Sequence, residues 1–381
     1  MSASPFDFDR VIDRRSSDSL KWNKYGDAVL PMWVADMDFV APPPVLEALK
    51  QRLDHGCFGY GRVPGSLLDV VVAYAEREYG WHIEPEWIVW LPGLVPGINV
   101  ACRAVDGDVL TCSPVYPPFF SAPPLSRRDL VRVPLALADG RWQFDFAALE
   151  AAITPQTKLL LLCHPHNPVG RAWRSDELAT LAAFCKRHDL IVCSDEIHCD
   201  LVLETGLRHQ PFASLNEDTA ARTITLMAPS KTYNVPGLAC AFAVVADPAL
   251  RRRFVGATRG ILPDVNVFGL IAAEAAFRDG AEWRAALLDV LRRNRDRVEK
   301  AVAGMPGLAM THVEATYLAW IDARGLGVED PAAFFMQAGV GLSDGADFGS
   351  PGWVRLNFGC PISTLDEGLV RMAAACSSRR P

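Results

Sequence analysis

The sequence lacks the features that mark secreted, membrane-spanning or nucleic-acid-binding proteins. Its 381 residues carry 38 lysines and arginines against 45 aspartates and glutamates, and a net charge of −7 argues against a surface for nucleic acid or anionic membranes. No apolar run reaches membrane-spanning length, and residues 1–20 contain no apolar signal-peptide core. We therefore expect a soluble, cytoplasmic protein.

Cysteine is present but not in the spacing of a metal or redox site. None of the ten cysteines forms a CxxC pair, and several lie inside apolar runs such as residues 159–163 and 190–194. A reduced thiol in such a run behaves as a small hydrophobic group. We expect no disulfide framework and no metal, which agrees with a reducing compartment.

Half of the residues are apolar, so the chain can bury a large core. Several short runs are apolar throughout and do not alternate with polar residues, and helical patterns separate them. One such helix, over residues 66–80, ends at a glycine, and another, over residues 175–188, has Ser175 as its predicted N-cap. This pattern predicts an α/β fold with a mainly parallel sheet. The predicted strands are residues 87–91, 108–112, 158–163, 190–194, 223–227 and 240–245.

The C-terminal part of the sequence no longer alternates regularly. Helical patterns cover about residues 265–303, and strand-like runs at 316–322 and 353–358 precede a last helix from about 363. A smaller α+β domain is therefore expected. The predicted division is an N-terminal segment 1–40 that packs with the small domain, a large domain 41–275 and a small domain 276–381.

Polar or small residues follow five of the predicted strands. In open α/β sheets ligands bind beyond the carboxyl ends of the strands, so these residues are expected to meet at one site. The first of them opens a helix whose free N–H groups suit a phosphate. In chain order they are Gly93, Tyr116, Asn167, Asp195 and Lys231.

This set satisfies the chemical needs of pyridoxal 5′-phosphate. The cofactor needs an amine for a Schiff base, a carboxylate that keeps its pyridine nitrogen protonated, a donor for its ring hydroxyl, a stacking ring and a phosphate cradle. Lys231 suits the first role because a lysine loses its proton readily when desolvated. The GxGxxG turn of a nicotinamide enzyme is absent.

Several motifs resemble a known family over nearly the whole chain. NPVG, SDEIH and SKTYNVPGL resemble the fold-type I pyridoxal-phosphate enzymes of the class I/II aminotransferase superfamily. DSLKWNKYGDAVLPMWVADMDF, HGCFGYGR, SPVYPPF and VRLNFGCP are more narrowly similar to the MalY/PatB-type carbon–sulfur lyases, which include bacterial cystathionine β-lyases.

The resemblance assigns roles to the residues that match its motifs. Lys231 would be the Schiff-base lysine and general base, and Asp195 the partner of the pyridinium. Asn167 would bind the ring hydroxyl and would also contact the substrate. Tyr116 would stack on the ring, and Arg355 would clamp the substrate α-carboxylate. The resemblance therefore implies an amino-acid substrate for this site.

The resemblance also implies a homodimer with active sites at the subunit interface. Tyr60 would reach the cofactor phosphate of the neighbouring subunit, and it is counted with Lys231 and Tyr116 among the catalytic residues. Neither a nucleic-acid nor a membrane partner is expected.

Three positions depart from the aminotransferase pattern. Ala239 replaces a phosphate-binding arginine, Ala228 replaces a serine, and His198 replaces a tyrosine near the ring oxygen. The resemblance implies that loss of the arginine favours lyase over transaminase chemistry. Phosphate binding then relies on the Gly93, Leu94 and Val95 amides, Ser230 and Tyr60.

The expected reaction is α,β-elimination from L-cystathionine or related cysteine S-conjugates, which yields a thiol, pyruvate and ammonia. Either Lys231 or a nearby tyrosine could protonate the departing sulfur. Trp33 and Met32 are predicted to shape substrate selectivity, and core packing is the alternative for both.

Other functions stay open at this point. An aminotransferase on the same scaffold would need a keto acid as second substrate, and a specialised β-elimination or β-replacement enzyme would differ in its pocket. A non-enzymatic regulator could keep the fold, but the intact lysine, aspartate and arginine argue against it.

Overall fold

A seven-stranded sheet forms the centre of the molecule. The computed structural model describes residues 5–378. The sheet order is β2-β10-β9-β8-β7-β3-β4; β10 runs antiparallel to both neighbours and the other pairs are parallel. The predicted α/β class with a mainly parallel sheet is confirmed. The strands of this sheet are β2 (Ile88–Leu91), β3 (Asp108–Ser113), β4 (Leu130–Pro134), β7 (Thr157–Cys163), β8 (Ile191–Asp195), β9 (Thr223–Met227) and β10 (Ala241–Val244).

Helices cover both faces of this sheet and build the rest of the fold. They are α1 (Pro43–His55), α2 (Gly65–Tyr79), α3 (Leu94–Ala104), α4 (Pro118–Leu125), α5 (Phe146–Ala152), α6 (Ser175–Arg187), α7 (Glu217–Ala221), α8 (Pro248–Thr258), α9 (Val267–Asp279), α10 (Ala281–Ala303), α11 (Pro331–Gln337) and α12 (Ile362–Ser377). Within the described part of the chain, no helix combines the length and apolar character needed to cross a membrane.

A four-stranded antiparallel sheet lies in the C-terminal part, in the order β11-β12-β15-β14. Residues before α1 join this part, because β1 pairs with β13 and the Asp38 amide donates to the Gly359 carbonyl at 2.8 Å. The predicted domain boundaries stay a prediction. The remaining strands are β1 (Leu30–Pro31), β5 (Ala136–Ala138), β6 (Arg141–Gln143), β11 (Ala309–Met310), β12 (Leu318–Asp322), β13 (Val340–Gly341), β14 (Ser343–Asp344) and β15 (Trp353–Asn357).

Of two predicted helix ends, the C-terminus of α2 agrees with the structure and the N-terminus of α6 does not. α2 ends at Gly80, whose φ of 62° is the left-handed conformation that glycine adopts without strain. The prediction of Ser175 as an N-cap is wrong, because Ser175 is the first helical residue and Arg174 precedes it. Glu177 accepts from the Arg174 amide at 2.8 Å, and the Ser175 hydroxyl donates to Gln210 instead.

Strand direction positions the site. β3, β7, β8 and β9 are parallel, and β2 points the same way because β10 runs antiparallel to both β2 and β9. The carboxyl ends of all five strands therefore lie at one edge of the sheet, and the residues that follow them converge there.

Candidate active site

A cavity of about 280 Å³ opens at this edge of the sheet. It brings together ten of the predicted site residues from five strand ends, from α3 and from β15. Trp33 and Tyr60 are not among the residues that line it. The ten are Gly93, Leu94, Val95, Tyr116, Asn167, Asp195, His198, Ser230, Lys231 and Arg355.

Lys231 presents its amine to the cavity four residues after β9 ends. Its Nζ donates to the Ala35 carbonyl at 2.6 Å. The pKa of Lys231 is lowered from 10.5 to about 8, mainly by burial and also by the Arg355 guanidinium, while the charges of Asp36 and Asp195 oppose this shift. The amine therefore exchanges its proton near neutral pH, as a nucleophile or base requires.

Asp195 is the last residue of β8 and its carboxylate is buried. Burial raises the pKa of Asp195 to about 7, an effect that the Ile197 amide, donating at 3.1 Å, and the charge of Lys231 partly offset. A buried carboxylate of this kind is stabilised in its charged form by a cation. The arrangement thus suits a ligand with a positively charged N–H.

Arg355 enters the cavity from β15 of the other sheet. Its Nη1 donates to Asn167 Oδ1 at 2.9 Å, and its Nη2 donates to the Trp33 carbonyl at 3.0 Å. Burial lowers the pKa of Arg355 to about 10, which leaves it charged at neutral pH. Among the described residues its buried Nε has no partner, so the guanidinium keeps a donor for a ligand carboxylate.

The start of α3 forms another part of the cavity lining. Gly93 is the N-cap of this eleven-residue helix, Leu94 and Val95 are its first residues, and the first N–H groups of the helix have no intrahelical partner. Ser230 lies beside them in the cavity lining, together with Ala228 and Ala239. Because position 239 supplies no guanidinium, an anion here must rely on backbone amides and hydroxyls.

His198 and Tyr116 complete the lining. Burial lowers the pKa of His198 to about 3, and Lys231 and Arg355 act in the same direction, so its ring is neutral. Its Nδ1 is buried and has no hydrogen-bond partner within residues 5–378. Burial raises the pKa of Tyr116, which keeps its hydroxyl protonated.

Met32 and Trp33, which were predicted to set substrate selectivity, have different surroundings in the segment before α1. Met32 is 1% exposed and belongs to the main hydrophobic core, so its predicted role in substrate selectivity is wrong. Trp33, in contrast, is only half-buried, and its indole N–H donates to the Lys21 carbonyl at 3.1 Å. Trp33 lines a second cleft, of about 550 Å³, which shares Val34, Tyr116 and Arg355 with the first cavity.

Tyr60 lies away from the cavity of its own chain. It is fully exposed in the loop between α1 and α2, where the neighbouring Phe58 packs on Phe268 with a ring separation of 5.4 Å. Among residues 5–378, no contact places its hydroxyl near Lys231 or α3.

Some residues at the cavity were not singled out from the sequence. The buried Tyr317 donates from its hydroxyl to the Ala35 carbonyl at 3.1 Å, and its ring meets that of His198 at 5.9 Å. The Ala35 carbonyl itself accepts from both Tyr317 and Lys231. A backbone carbonyl cannot be recognised from a side-chain motif. The motif VADMDF, which contains Ala35, could have indicated that this segment lies near the site.

The residues fit pyridoxal 5′-phosphate. The buried Asp195 carboxylate needs a cationic partner, which a protonated pyridine nitrogen provides. Because Asn167 Oδ1 is occupied by Arg355, its amide nitrogen is left to donate to the ring oxygen. The α3 amides suit a phosphate, and Lys231 supplies the amine.

Comparisons with known proteins identify the family of this chain. Residues 29–372 match the family described as aminotransferase class I and II. The chain is 38% identical to cystathionine β-lyase PatB of Bacillus subtilis, over 97% of this chain and all of that protein. The crystal structure of OvoB is 50% identical, with a TM-score of 0.96 over 98% of this chain and 100% of the other. Cystalysin of Treponema denticola, solved with pyridoxal 5′-phosphate, is 33% identical with a TM-score of 0.93 over the same shares. The chain therefore belongs to the aminotransferase class I and II family.

Proposed function

We propose that this chain is a pyridoxal-phosphate-dependent carbon–sulfur β-lyase. It cleaves L-cystathionine or related cysteine S-conjugates to a thiol, pyruvate and ammonia. The observation that carries this function is the presence, in one cavity, of the Lys231 amine, the buried Asp195 carboxylate and the Arg355 guanidinium. The relative PatB, matched over its full length, bears the name of this activity.

Each residue would serve one part of the reaction. The cofactor, when bound, supplies an electron sink for the charge that develops at the substrate α-carbon. Arg355 binds the substrate carboxylate, Asn167 holds both Arg355 and the ring oxygen, and Asp195 holds the positive pyridine nitrogen. The Lys231 amine takes the α-proton, for which its pKa of about 8 is well matched.

Loss of the sulfur needs a proton donor near the β-carbon. Lys231, once it has taken the α-proton, is one donor in the cavity, and the Tyr116 hydroxyl is the other. Tyr116 also lies between the cavity and the Trp33 cleft, where the sulfur substituent would extend. Either of these two groups can supply the proton to the departing sulfur.

Phosphate binding distinguishes this site from that of many aminotransferases. With alanine at 228 and 239, the Gly93–Val95 amides and Ser230 are the donors that this chain offers. The resemblance to the carbon–sulfur lyases implies that loss of the arginine at position 239 is tolerated in the lyase branch. We infer that lyase chemistry predominates.

The exposed loop with Tyr60 supports a homodimer in which this residue binds the partner's cofactor phosphate. Within residues 5–378 the Tyr60 side chain is fully exposed and forms no hydrogen bond or ring contact, which leaves it accessible to a second subunit. Mixing inactive Lys231→Ala subunits with Tyr60→Phe subunits tests this arrangement. Regain of activity on mixing is expected, because one of the two sites of a mixed dimer then has both residues. Failure to regain activity in proven mixed dimers would contradict it.

The function itself is tested with purified protein, pyridoxal phosphate and L-cystathionine, without a keto acid. Thiol and pyruvate should appear in equal amounts over many turnovers. Lys231→Ala should abolish turnover and covalent cofactor attachment, while Lys300→Ala, at an exposed position of α10, should leave both unchanged. Turnover that appears only with an added keto acid and amino donor would make the protein an aminotransferase.

A further inference from the structure

The segment Trp33–Asp38, here termed the active-site strap, runs past the cavity without helix or strand. Five successive carbonyls of the strap each accept a hydrogen bond from a side chain elsewhere in the chain. Such a segment lacks the regular backbone hydrogen bonds of a helix or strand, so its position depends on these donors. Residues 33, 34, 35, 36 and 37 each accept from at least one such donor, which in this order is Arg355 (3.0 Å), Asn357 (2.6 Å), Lys231 (2.6 Å), Lys21 (2.9 Å) and Asn234 (3.0 Å).

Two of these donors are the residues that the proposed function needs most. The Trp33 carbonyl orients Arg355, and the Ala35 carbonyl orients the Lys231 amine. The strap therefore sets the relation between the group that binds the substrate carboxylate and the group that takes its α-proton. A shift of the strap would displace both.

Residues of the N-terminal segment hold the strap from the side away from the cavity. Lys21 Nζ meets Asp38 Oδ2 at 2.6 Å and the Asp36 carbonyl at 2.9 Å. Arg14 bonds to Asp38 Oδ1 and Asp36 Oδ2, both at 2.7 Å, and the Trp22 indole N–H donates to Asp38 at 2.7 Å. The two carboxylates of the strap are thus paired with two cations.

Lys21 and Asp38 are 1% and 4% exposed. A buried ion pair adds little stability over an apolar pair of the same size, since desolvation offsets most of its attraction. Its directional contacts do, however, define one position for the groups that carry it. A lysine buried in a peripheral segment and aimed at the strap is thus better explained by positioning than by stability.

We infer that Lys21 is a positioning residue for the reaction. Through Asp38 and the Asp36 carbonyl it holds the active-site strap where the Trp33 and Ala35 carbonyls orient Arg355 and Lys231. This role rests on the proposed function, because it presupposes that Lys231 and Arg355 act on cofactor and substrate.

The test compares Lys21→Met, which removes the ammonium but keeps the length, with Lys21→Arg, which restores a cation. Lys50→Met, at an exposed position of α1, is the matched control. Three quantities are measured: the rate at which pyridoxal phosphate becomes covalently attached to the apoprotein, the affinity for L-alanine from the cofactor absorbance, and kcat/KM for L-cystathionine. Circular dichroism reports whether each variant is folded.

Folded Lys21→Met should attach the cofactor more slowly, bind L-alanine more weakly and lose about a hundredfold in kcat/KM, the scale of loss from a small misplacement of reacting groups. Lys21→Arg should recover part of all three, and Lys50→Met should match the wild type. If Lys21→Met does not fold, Trp22→Phe removes one donor to Asp38 and keeps most of the packing, and it should show a smaller loss in the same three quantities.

The results separate two failures. Wild-type protein that does not attach the cofactor at Lys231 would overturn the proposed function. If the wild type attaches the cofactor, and folded Lys21→Met or Trp22→Phe shows the same rates and affinity as the wild type, only the positioning role is overturned.

Discussion

Arg355 and Asn167 are 188 residues apart in the sequence and meet inside the cavity, where Arg355 Nη1 donates to Asn167 Oδ1 at 2.9 Å. The bond joins a strand of the C-terminal sheet to the loop after a strand of the central sheet. Both residues keep further N–H groups free for ligands, so in the proposed function this bond would link the substrate to the cofactor.

Replacing Arg355 by lysine should weaken substrate binding. Lysine keeps the charge but loses the planar fork that binds a carboxylate through two bonds. We expect kcat/KM for L-cystathionine to fall by about a hundredfold, mostly through KM. Arg324→Lys is the control, since Arg324 is exposed and pairs with Asp322 at the surface. An unchanged KM in folded Arg355→Lys would remove Arg355 from the substrate site.

Replacing Asp195 by asparagine should leave the cofactor bound but lower turnover. Asparagine keeps the size and can still accept from the Ile197 amide, but it carries no charge to hold a protonated pyridine nitrogen. The cofactor should remain attached to Lys231, while kcat falls by at least about a hundredfold. Asp264→Asn, at an exposed position before α9, should be neutral. Full activity of Asp195→Asn would mean that no charge is needed at this position.

The rate of cofactor attachment should depend on pH through the Lys231 amine. Because burial lowers the pKa of Lys231 to about 8, the reactive neutral amine increases as pH rises to that value and is the main form above it. The initial rate should therefore rise about tenfold per unit at lower pH and level off above pH 8. Apoprotein mixed with pyridoxal phosphate at a series of pH values provides this measurement. A rate still rising steeply well above pH 9 would indicate an ordinary lysine.

Replacing Met32 by alanine should affect stability and not selectivity. Met32 is buried, and its sulfur packs so closely against Gly368 that a Cβ at position 368 would collide with it. Loss of this side chain should lower the free energy of unfolding by about 2–5 kcal/mol. Met336→Ala, which is 41% exposed, should cost less than about 1 kcal/mol. Relative kcat/KM values across several cysteine S-conjugates should stay unchanged in Met32→Ala.

Much of the fold could be predicted from the sequence because its signals are local. Each of the six strands predicted for the central sheet is present within one residue at either end, since uniform apolar runs are typical of strands buried on both faces. The edge strand β4 was missed because its pattern, LVRVP, is mixed, with only Val133 buried. Helix α8 was missed because three arginines hide its two buried residues, Leu250 and Phe254.

The order of apolar runs along the chain is enough to predict which side chains follow the strands, namely Gly93, Tyr116, Asn167, Asp195 and Lys231. Parallel strands share one carboxyl edge, so chain order brings these residues together. The three-dimensional packing is needed to learn that Met32 enters the core, that Trp33 lines the cleft, and that strap carbonyls orient Lys231 and Arg355. Backbone carbonyls are the same at every residue, so their role depends on long-range packing that no local pattern encodes.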